Sequence, residues 1–457
     1  KRAVTLSPRL KLAADGLQRL GGDTGSAEDR EIAGAGVENW RVVQQGNRYY
    51  AVSDQYRRMR IPLEMAGDGQ PQLLEWELKQ PPLRGIATLR FSAGAVPGAM
   101  GPEEVEQVAI LGTGAWLARG KIAVAAMEKL YEKAMARAPD DGLMDGLHVG
   151  LCGAGGPLPD PQRAGPCTAV LAGKRLFVID AGSGATRNLA LMNLPPARIE
   201  AIFLTHFHSD HIDGLGELML QRWAGSGSAS PVPVRGPQGV EQVVGGFMSA
   251  YRMDQGYRTA HHGGAVVPPS GFGGQALTFD AAAGQPDVVL IDEPDLKVTA
   301  FPVAHDPVSP AVGYAFTYKG RTVVISGDTA LSPRVEAAAK NVDLLVHEAL
   351  APNLVASQQQ AARAVGRERL AKIFSDIPGY HASPEQVAGL AARDKVGMLL
   401  FTHITPALPL TALEGPFLGK SREIFTGRIK VGRDGDFVSL PAGSKDITVT
   451  DRLRMVR

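Results

Sequence analysis

The sequence has few cysteines, no long apolar run and almost no net charge. Its two cysteines among 457 residues, Cys152 and Cys167, are too few for a disulfide framework or a cysteine-built zinc module, although one bridge between them is allowed. No run of 18 or more apolar residues is present, which excludes a membrane-spanning helix and predicts a soluble protein. A formal net charge of +1 gives no overall attraction to a polyanion, so nucleic-acid binding is not expected as the main function.

The compartment stays open between a bacterial-type cytoplasm and a periplasm. Two cysteines are compatible with either. The first residue is Lys1 rather than Met, so a removed signal peptide is one alternative. No targeting segment can be recognised in the chain.

The length of the chain predicts two or three units. Residues 1–105 are polar and irregular, which predicts an accessory domain whose role the sequence does not reveal. Residues 106–146 include apolar positions at helical spacing and are expected to form a helical linker. From residue 147 to 457 the pattern of strand, glycine turn and helix repeats, which indicates an α/β domain with helices covering sheets. Within it, "VPVRG" and "VEQVVGGFMSAYRM" belong to this strand and helix alternation. Residues 225–285 as a whole are richer in Gly, Pro and Ser and are expected to form loops above a sheet edge.

Histidines and acidic residues follow nearly every apolar strand of this domain. Because the carboxyl ends of strands line a common crevice in layered α/β folds, side chains far apart in sequence can meet there. The residues concerned are His206, His208, Asp210, His211, His305, Asp328, His347, Glu348 and His403.

The densest of these groups is the segment "THFHSDH" at residues 205–211. Clustered imidazoles repel each other when protonated and are costly to bury without partners, so a metal ion is the expected partner. Imidazole and carboxylate ligands without thiolates suit zinc, with manganese or iron as alternatives, and the strand-end residues suffice for two ions. Isolated histidines such as His148, and the pair His261 and His262, are expected to be ordinary structural residues.

These motifs resemble those of the metallo-β-lactamase superfamily. The resemblance rests on "FVIDAG", "THFHSDH", "VISGDT" and "FTH", and it covers roughly residues 147–440. The segments "HEAL" and "YHASPEQ" are similar to the ribonuclease Z-like branch, which also contains arylsulfatases and phosphodiesterases. The resemblance implies a four-layer αββα sandwich with its metals at one edge, and it suggests a homodimer.

The resemblance also implies a role for individual residues. His206, His208 and His305 would hold one zinc ion, Asp210, His211 and His403 a second, and Asp328 would bridge the two. Asp180 and His347 would lie behind the ligands, and His381, steered by Glu348, would donate a proton. The sequence independently predicts a helix start after His381, because Ser383, Pro384 and Gln386 form a capping-box pattern.

The expected reaction is hydrolysis of a phosphodiester or a sulfate ester. A hydroxide bridging two metal ions would be the nucleophile, Asp210 would orient it, and His381 would protonate the leaving oxygen.

The short segment between His305 and Asp328 leaves room only for a hairpin, with a turn at Lys319 and Gly320. It lacks the long arm that the resemblance associates with transfer-RNA processing. A small-molecule ester is therefore favoured as the substrate, and transfer RNA is less expected. A β-lactam or lactone hydrolase on the same site, and a non-catalytic binding or sensor protein, are the alternatives.

Overall fold

The computed structural model describes residues 142–282 and 284–453, short strands among the first 89 residues, and helical positions 124, 127–129 and 132. The chain divides into two compact units, Lys1–Tyr131 and Glu132–Arg457. The predicted linker 106–146 lies mostly outside the described residues. The predicted boundaries at 105 and 146 stay a prediction.

The first unit contains two small sheets. The described strands are β1 Ala3–Val4, β2 Arg30–Ile32, β3 Trp40–Gln45, β4 Arg48–Ser53, β5 Arg60–Met65, β6 Pro71–Gln72, β7 Trp76–Glu77 and β8 Thr88–Leu89. Strands β2 to β6 form a five-stranded sheet in sequence order, and β1, β8 and β7 form a three-stranded sheet in that order.

The second unit is built on an eight-stranded and a seven-stranded sheet. The eight-stranded sheet contains β9 Gly146–Gly153, β10 Cys167–Ala172, β11 Arg175–Ile179, β12 Ile199–Phe203, β13 Val232–Gly236, β14 Gly274–Thr278, β22 Asp436–Pro441 and β23 Thr448–Asp451. The seven-stranded sheet contains β15 Val288–Asp292, β16 Leu296–Pro302, β17 Val312–Tyr318, β18 Arg321–Ile325, β19 Leu344–Leu350, β20 Met398–Thr405 and β21 Arg428–Val431. The strand order of the first sheet is β14-β13-β12-β11-β10-β9-β22-β23, and the second sheet runs from β15 to β21 in sequence order.

Helices connect the strands of both sheets. They are α1 Ala185–Leu191, α2 Ser209–Ile212, α3 Leu215–Ser226, α4 Val240–His262, α5 Pro333–Ala338, α6 Pro352–Ala364, α7 Glu368–Asp376, α8 Pro384–Arg393, α9 Glu414–Leu418 and α10 Ser421–Ile424. Short 3-10 turns occupy Pro196–Arg198, Pro269–Gly271, Ile377–Gly379 and Thr411–Leu413.

The main core lies between the two sheets. Phe177 and Phe203 of the eight-stranded sheet pack with Phe316 of the seven-stranded sheet, with the Phe203 and Phe316 rings 5.5 Å apart. Full burial of such a side chain stabilises the fold by about 1.5–3 kcal/mol. Successive side chains of a strand point to opposite faces, and these strands are apolar at nearly every position, so their outer faces are also apolar and need covering.

Helices cover both outer faces. On the eight-stranded sheet, Leu189 of α1 and Leu218 of α3 join the cluster that contains Val178. On the seven-stranded sheet, Val335 of α5 and Leu390 of α8 join a separate cluster. Two sheets between two helical layers confirm the predicted αββα arrangement.

Two local predictions are confirmed. Lys319 and Gly320 both have positive φ, 44° and 79°, which is the backbone that a two-residue hairpin between β17 and β18 requires. At the start of α8, the Ser383 hydroxyl accepts a hydrogen bond from the Gln386 N–H, and the Gln386 side chain accepts one from the Ser383 N–H.

The strand and helix expected from "VPVRG" and "VEQVVGGFMSAYRM" are confirmed, whereas the expectation of loops over residues 225–285 is wrong for most of that segment. It contains β13, β14 and the 23-residue helix α4. Gly245, Gly246 and Gly256 lower the intrinsic helix propensity of α4. Tertiary packing outweighs this effect, because Val240 and Val244 are buried against the sheet.

Within the described part of the chain, no helix combines the length and apolar character needed to cross a bilayer.

Cys152 and Cys167 form a disulfide bond between neighbouring strands. Cys152 lies near the end of β9 and Cys167 at the start of β10, and both are buried. The bond closes the segment 153–166, and its two cysteines lie 15 positions apart along the chain.

Replacing both cysteines by alanine should lower the free energy of unfolding by about 3 kcal/mol, the entropic effect of opening a loop of this length. Urea unfolding of the variant and the natural chain, without reductant, measures the difference. Dithiothreitol should shift the natural chain toward the variant and leave the variant unchanged. Equal unfolding midpoints for the oxidised chain and the variant would contradict a stabilising role.

Candidate metal centre

The candidate site lies at the edge where parallel strands of both sheets end. Strands β11 and β12 are parallel, as are β18, β19 and β20. Their carboxyl ends therefore point to one edge of each sheet. Asp180 follows β11, His206 follows β12, and Asp328 follows β18.

The first group of ligand atoms comes from His206, His208, His305 and Asp328. One ligand atom from each lies within 4.8 Å of the others. The Nδ1 atom of His208 is 3.0 Å from His206 Nε2 and 3.4 Å from His305 Nε2. His206 and His305 are buried, whereas His208 is exposed. The group could hold one metal ion.

The second group comes from Asp210, His211 and His403. Their ligand atoms also lie within 4.8 Å of one another. Asp210 and His211 belong to the short helix α2, and Asp210 Oδ2 is 3.6 Å from His211 Nε2 and 3.3 Å from His403 Nε2. The helix brings the last two residues of "HFHSDH" to a second position, beside the first group.

Asp328 lies between the two groups. Its Oδ2 atom is 3.2 Å from His403 Nε2 and 3.3 Å from His211 Nε2, both of the second group. The same atom is 3.9 Å from the Nε2 atoms of His206 and His305 in the first group. One carboxylate oxygen therefore faces four imidazoles, which is the position that a bridging ligand needs.

His403 reaches the site through an irregularity in β20. The sequence suggested that His403 follows a strand, but the structure places it inside β20. The register between β19 and β20 shifts there, since Glu348 pairs with Thr402 and Ala349 with Ile404. His403 has a φ of 45°, a conformation that non-glycine residues rarely adopt. Such a bulge re-aims a side chain, here toward Asp210 and Asp328.

Asp180 supports the ligands from behind. It is buried and has a φ of 58°. Its Oδ1 atom accepts a hydrogen bond from the Thr205 N–H at 2.8 Å, and its Oδ2 atom lies 2.8 Å from both Thr205 Oγ1 and His211 Nδ1. Hydrogen bonds of this kind fix the orientation of a ligand imidazole.

His347 is linked to the site only through its neighbour. Its side chain is fully buried, and its Nδ1 atom lies 2.7 Å from the Glu348 carbonyl oxygen. Its Nε2 atom has no hydrogen-bond partner among the described residues.

The electrostatics of the cluster favour the neutral form of three imidazoles and the protonated form of His211. Burial lowers the pKa of His206 and of His305, and partial desolvation lowers that of the more exposed His208, which leaves these lone pairs free to bind a cation. Burial alone would raise the pKa of Asp328, but the neighbouring His403 and His211 hold it well below its ordinary value. Burial opposes the protonated form of His211, but Asp328 and Asp180 raise its pKa well above the ordinary value.

These features fit a metal centre. His211 Nε2 is buried and makes no hydrogen bond within the described part of the chain. The carboxylates concentrate negative charge around it, and an imidazole nitrogen directed at such a place is a ready metal ligand. Imidazole nitrogens and carboxylate oxygens are the donors that zinc, manganese and iron accept.

His381 and Glu348 form a pair beside the metal groups. His381 Nδ1 is 3.2 Å from Glu348 Oε1. Burial disfavours the protonated form of His381, but Glu348 outweighs it and raises the pKa of His381 to about 9. The Glu348 carboxylate also accepts hydrogen bonds from the Thr329 and Ala382 N–H groups. His381 therefore lies beside a fixed carboxylate that favours its protonated form.

A cleft of about 780 Å³ opens beside Asp210. One wall is the segment 156–165, which the disulfide bond closes, and the other includes Arg187 of α1. The buried Asp434 carboxylate accepts hydrogen bonds from the N–H groups of Ala154 and Ala164 and from the Asn188 side chain. The cleft is thus fixed in shape by buried hydrogen bonds.

The histidines expected to be structural lie apart from the site. His148 is buried, with its Nε2 atom 3.0 Å from the Met144 carbonyl oxygen and its ring stacked on Phe437. His261 and His262 are exposed at the end of α4.

Three contributions to the site were missed from the sequence. The Thr205 hydroxyl lies between Asp180 and His206, the Tyr380 carbonyl oxygen is 3.0 Å from His305 Nδ1, and Asp434 fixes the cleft wall. Thr205 could have been found, because a hydroxyl residue directly precedes the first ligand. No sequence signal marks the Tyr380 carbonyl, because every residue has one.

Comparison with known proteins gives three kinds of match. A family model described as Metallo-beta-lactamase superfamily matches residues 160–375. A ribonuclease Z from Mycobacterium avium is 34% identical over 300 residues, which are 65% of this chain and the whole of that relative. A ribonuclease Z from Mycobacterium marinum is 32% identical over 290 residues, 63% of this chain and 96% of that relative. Among solved structures, human tRNase Z, short form, is 22% identical with a TM-score of 0.46, covering 64% of this chain and 99% of that chain.

The preference for a small-molecule ester over transfer RNA is wrong. Relatives that match over their whole length carry the name ribonuclease Z, which refers to an enzyme acting on RNA. The preference depended on a short hairpin and on a net charge of +1 summed over the whole chain. Contact with a phosphate depends on local charge, and divalent ions at the site would add positive charge that this sum leaves out.

The layered fold, the clustered ligand residues and the relatives matched over their whole length lead to the same conclusion. The chain belongs to the metallo-β-lactamase superfamily, as a metal-dependent hydrolase related to ribonuclease Z.

Proposed function

We propose that this protein hydrolyses phosphodiester bonds in RNA with the help of two zinc ions. The ions would be held by the two groups already described, with Asp328 shared between them. The observation that carries the proposal is the position of Asp328 Oδ2, within 3.2–3.9 Å of four imidazole nitrogens from both groups. Manganese or iron would fit the same donors.

Two bound ions would lower the pKa of a water molecule and neutralise the oxygens of a phosphate group. The protein's own groups would then orient the reactants. Asp210 lies at the boundary between the second group and the cleft, so its carboxylate can accept a hydrogen bond from the attacking water. The pKa of Asp210 is lowered, because its hydrogen bond with His403 and the nearby His211 outweigh the effect of burial, so the carboxylate stays ionised.

His381 would donate a proton to the leaving oxygen. Its ring centre is 5.2 Å from that of His305 and 5.4 Å from that of His403, so it borders both metal groups. Glu348 keeps it protonated. A ribose alkoxide is a poor leaving group, and a positioned acid accelerates its departure. This pair favours ester cleavage over lactam opening.

The cleft beside Asp210 would hold the RNA strand next to the scissile bond. Its volume of about 780 Å³ falls in the range of pockets that bind ligands larger than a single phosphate. The relatives named ribonuclease Z support RNA as the substrate class.

The purified protein should cleave a precursor transfer RNA and contain about two zinc ions per chain. Removal of the metal with a chelator should abolish cleavage, because the activated water is lost, and added zinc or manganese should restore it. Product analysis by gel and elemental analysis provide the two measurements.

A panel of an aryl sulfate, a β-lactam and a lactone serves as the comparison. Turnover of any of these by a metal-loaded protein that leaves RNA intact would show that the proposed substrate class is wrong. Fewer than two ions per active chain would contradict the dinuclear site.

His381→Ala should slow RNA cleavage by about 10²–10⁴-fold, the usual effect of losing an acid catalyst. The same variant should lose much less activity on bis(p-nitrophenyl) phosphate, because nitrophenolate leaves without a proton. Steady-state kcat on both substrates measures the difference.

His261→Ala is the matched control, because His261 is an exposed histidine at the end of α4. It should leave both reactions unchanged. Equal losses on the two substrates in His381→Ala would argue against proton donation and for a positioning role.

A further inference from the structure

The Thr205 hydroxyl connects a buried carboxylate to a candidate metal ligand. Thr205 is 1% exposed, and its Oγ1 atom is 2.8 Å from Asp180 Oδ2 and 3.0 Å from His206 Nδ1. An ionised carboxylate only accepts hydrogen bonds, so the single hydroxyl proton of Thr205 is donated to Asp180. The hydroxyl oxygen must then accept the Nδ1–H of His206.

This arrangement fixes the tautomer of His206. With the proton on Nδ1, the Nε2 atom keeps its lone pair. Nε2 is the atom that faces His208 Nδ1 at 3.0 Å and Asp328 Oδ2 at 3.9 Å. The hydroxyl therefore aims the lone pair of His206 at the first metal group.

His211, in the second group, is oriented without a hydroxyl. Its Nδ1 atom lies 2.8 Å from Asp180 Oδ2 and can donate to that atom directly. Asp180 thus serves one imidazole in each group, His211 by direct contact and His206 through Thr205. His305 of the first group is oriented independently of Asp180, because its Nδ1 atom lies 3.0 Å from the Tyr380 carbonyl oxygen.

We propose that Thr205 is a positioning residue for the His206, His208 and His305 group alone. The inference rests on the proposed two-metal site and assigns Thr205 to one half of it. Loss of the hydroxyl leaves the buried His206 Nδ1–H without an acceptor, which favours a rotated ring or the other tautomer. The second group keeps its direct contact between Asp180 and His211.

The test compares Thr205→Val with Thr205→Ser in the full chain. Valine keeps both branches of the side chain, including the methyl group that lies beside Gly327, but it has no hydroxyl. Serine keeps the hydroxyl and lacks the methyl group. Metal-free protein is titrated with zinc against a chromophoric chelator, which reports the affinity of each binding step without any substrate.

In Thr205→Val, one of two zinc-binding steps should weaken by about 10–100-fold, the usual effect of losing an outer hydrogen-bond partner of a metal ligand. The other step should keep the affinity of the natural chain. Thr205→Ser should retain both affinities, and Asp180→Asn should weaken both steps, because it removes the acceptor shared by the two imidazoles.

Unchanged binding in Thr205→Val, or equal weakening of both steps, would overturn the inference. Thr205→Ala is a second variant without the hydroxyl, and its zinc affinities should match those of Thr205→Val. Circular dichroism verifies that both variants are folded. If the natural chain binds fewer than two zinc ions, the proposed two-zinc site is wrong. If the natural chain binds two zinc ions but Thr205→Val weakens neither step or both steps equally, only the role of Thr205 is wrong.

Discussion

The structure depends on the burial of negative charge at one edge of two packed sheets. Asp328 is 3% exposed, and its Oδ2 atom faces four imidazole nitrogens rather than a lysine or an arginine. A buried carboxylate is costly unless it is paired, and burial lowers the pKa of two of these imidazoles, His206 and His305, which makes them weak partners for it. Bound metal ions would resolve this conflict, because they would pair with the carboxylate and use the lone pairs of the imidazoles.

Two residues with strained backbone conformations place their side chains in this site. Asp180 and His403 have φ values of 58° and 45°, and such conformations cost about 1–3 kcal/mol each in non-glycine residues. Asp180 ends a buried strand and His403 lies inside one, so the packed sheets offset the strain. Each strained residue directs a side chain into the site, Asp180 toward His211 and Thr205, and His403 toward Asp210.

The same layers explain how a hydrolase site and a substrate cleft come together. The segment 153–166 is tied at its ends by the disulfide bond and along its length by Asp434. The cleft that it forms ends at Asp210, which belongs to the second metal group. A phosphodiester held in the cleft would therefore lie beside Asp210. Local geometry and local charge, rather than the net charge of the chain, decide what such a site binds.

The sequence by itself determined the chemistry and much of the architecture. Strand patterns, the hairpin at Lys319 and Gly320, the cap at Ser383 and the cluster "HFHSDH" depend on neighbours along the chain, so they can be predicted. Only the tertiary structure decided which atoms meet. The bulge at His403 and the Thr205 link between Asp180 and His206 both depend on contacts between residues distant in sequence. Hydrogen-bond partners and strand register are set by packing across sheets, and a linear pattern carries no distance between its parts.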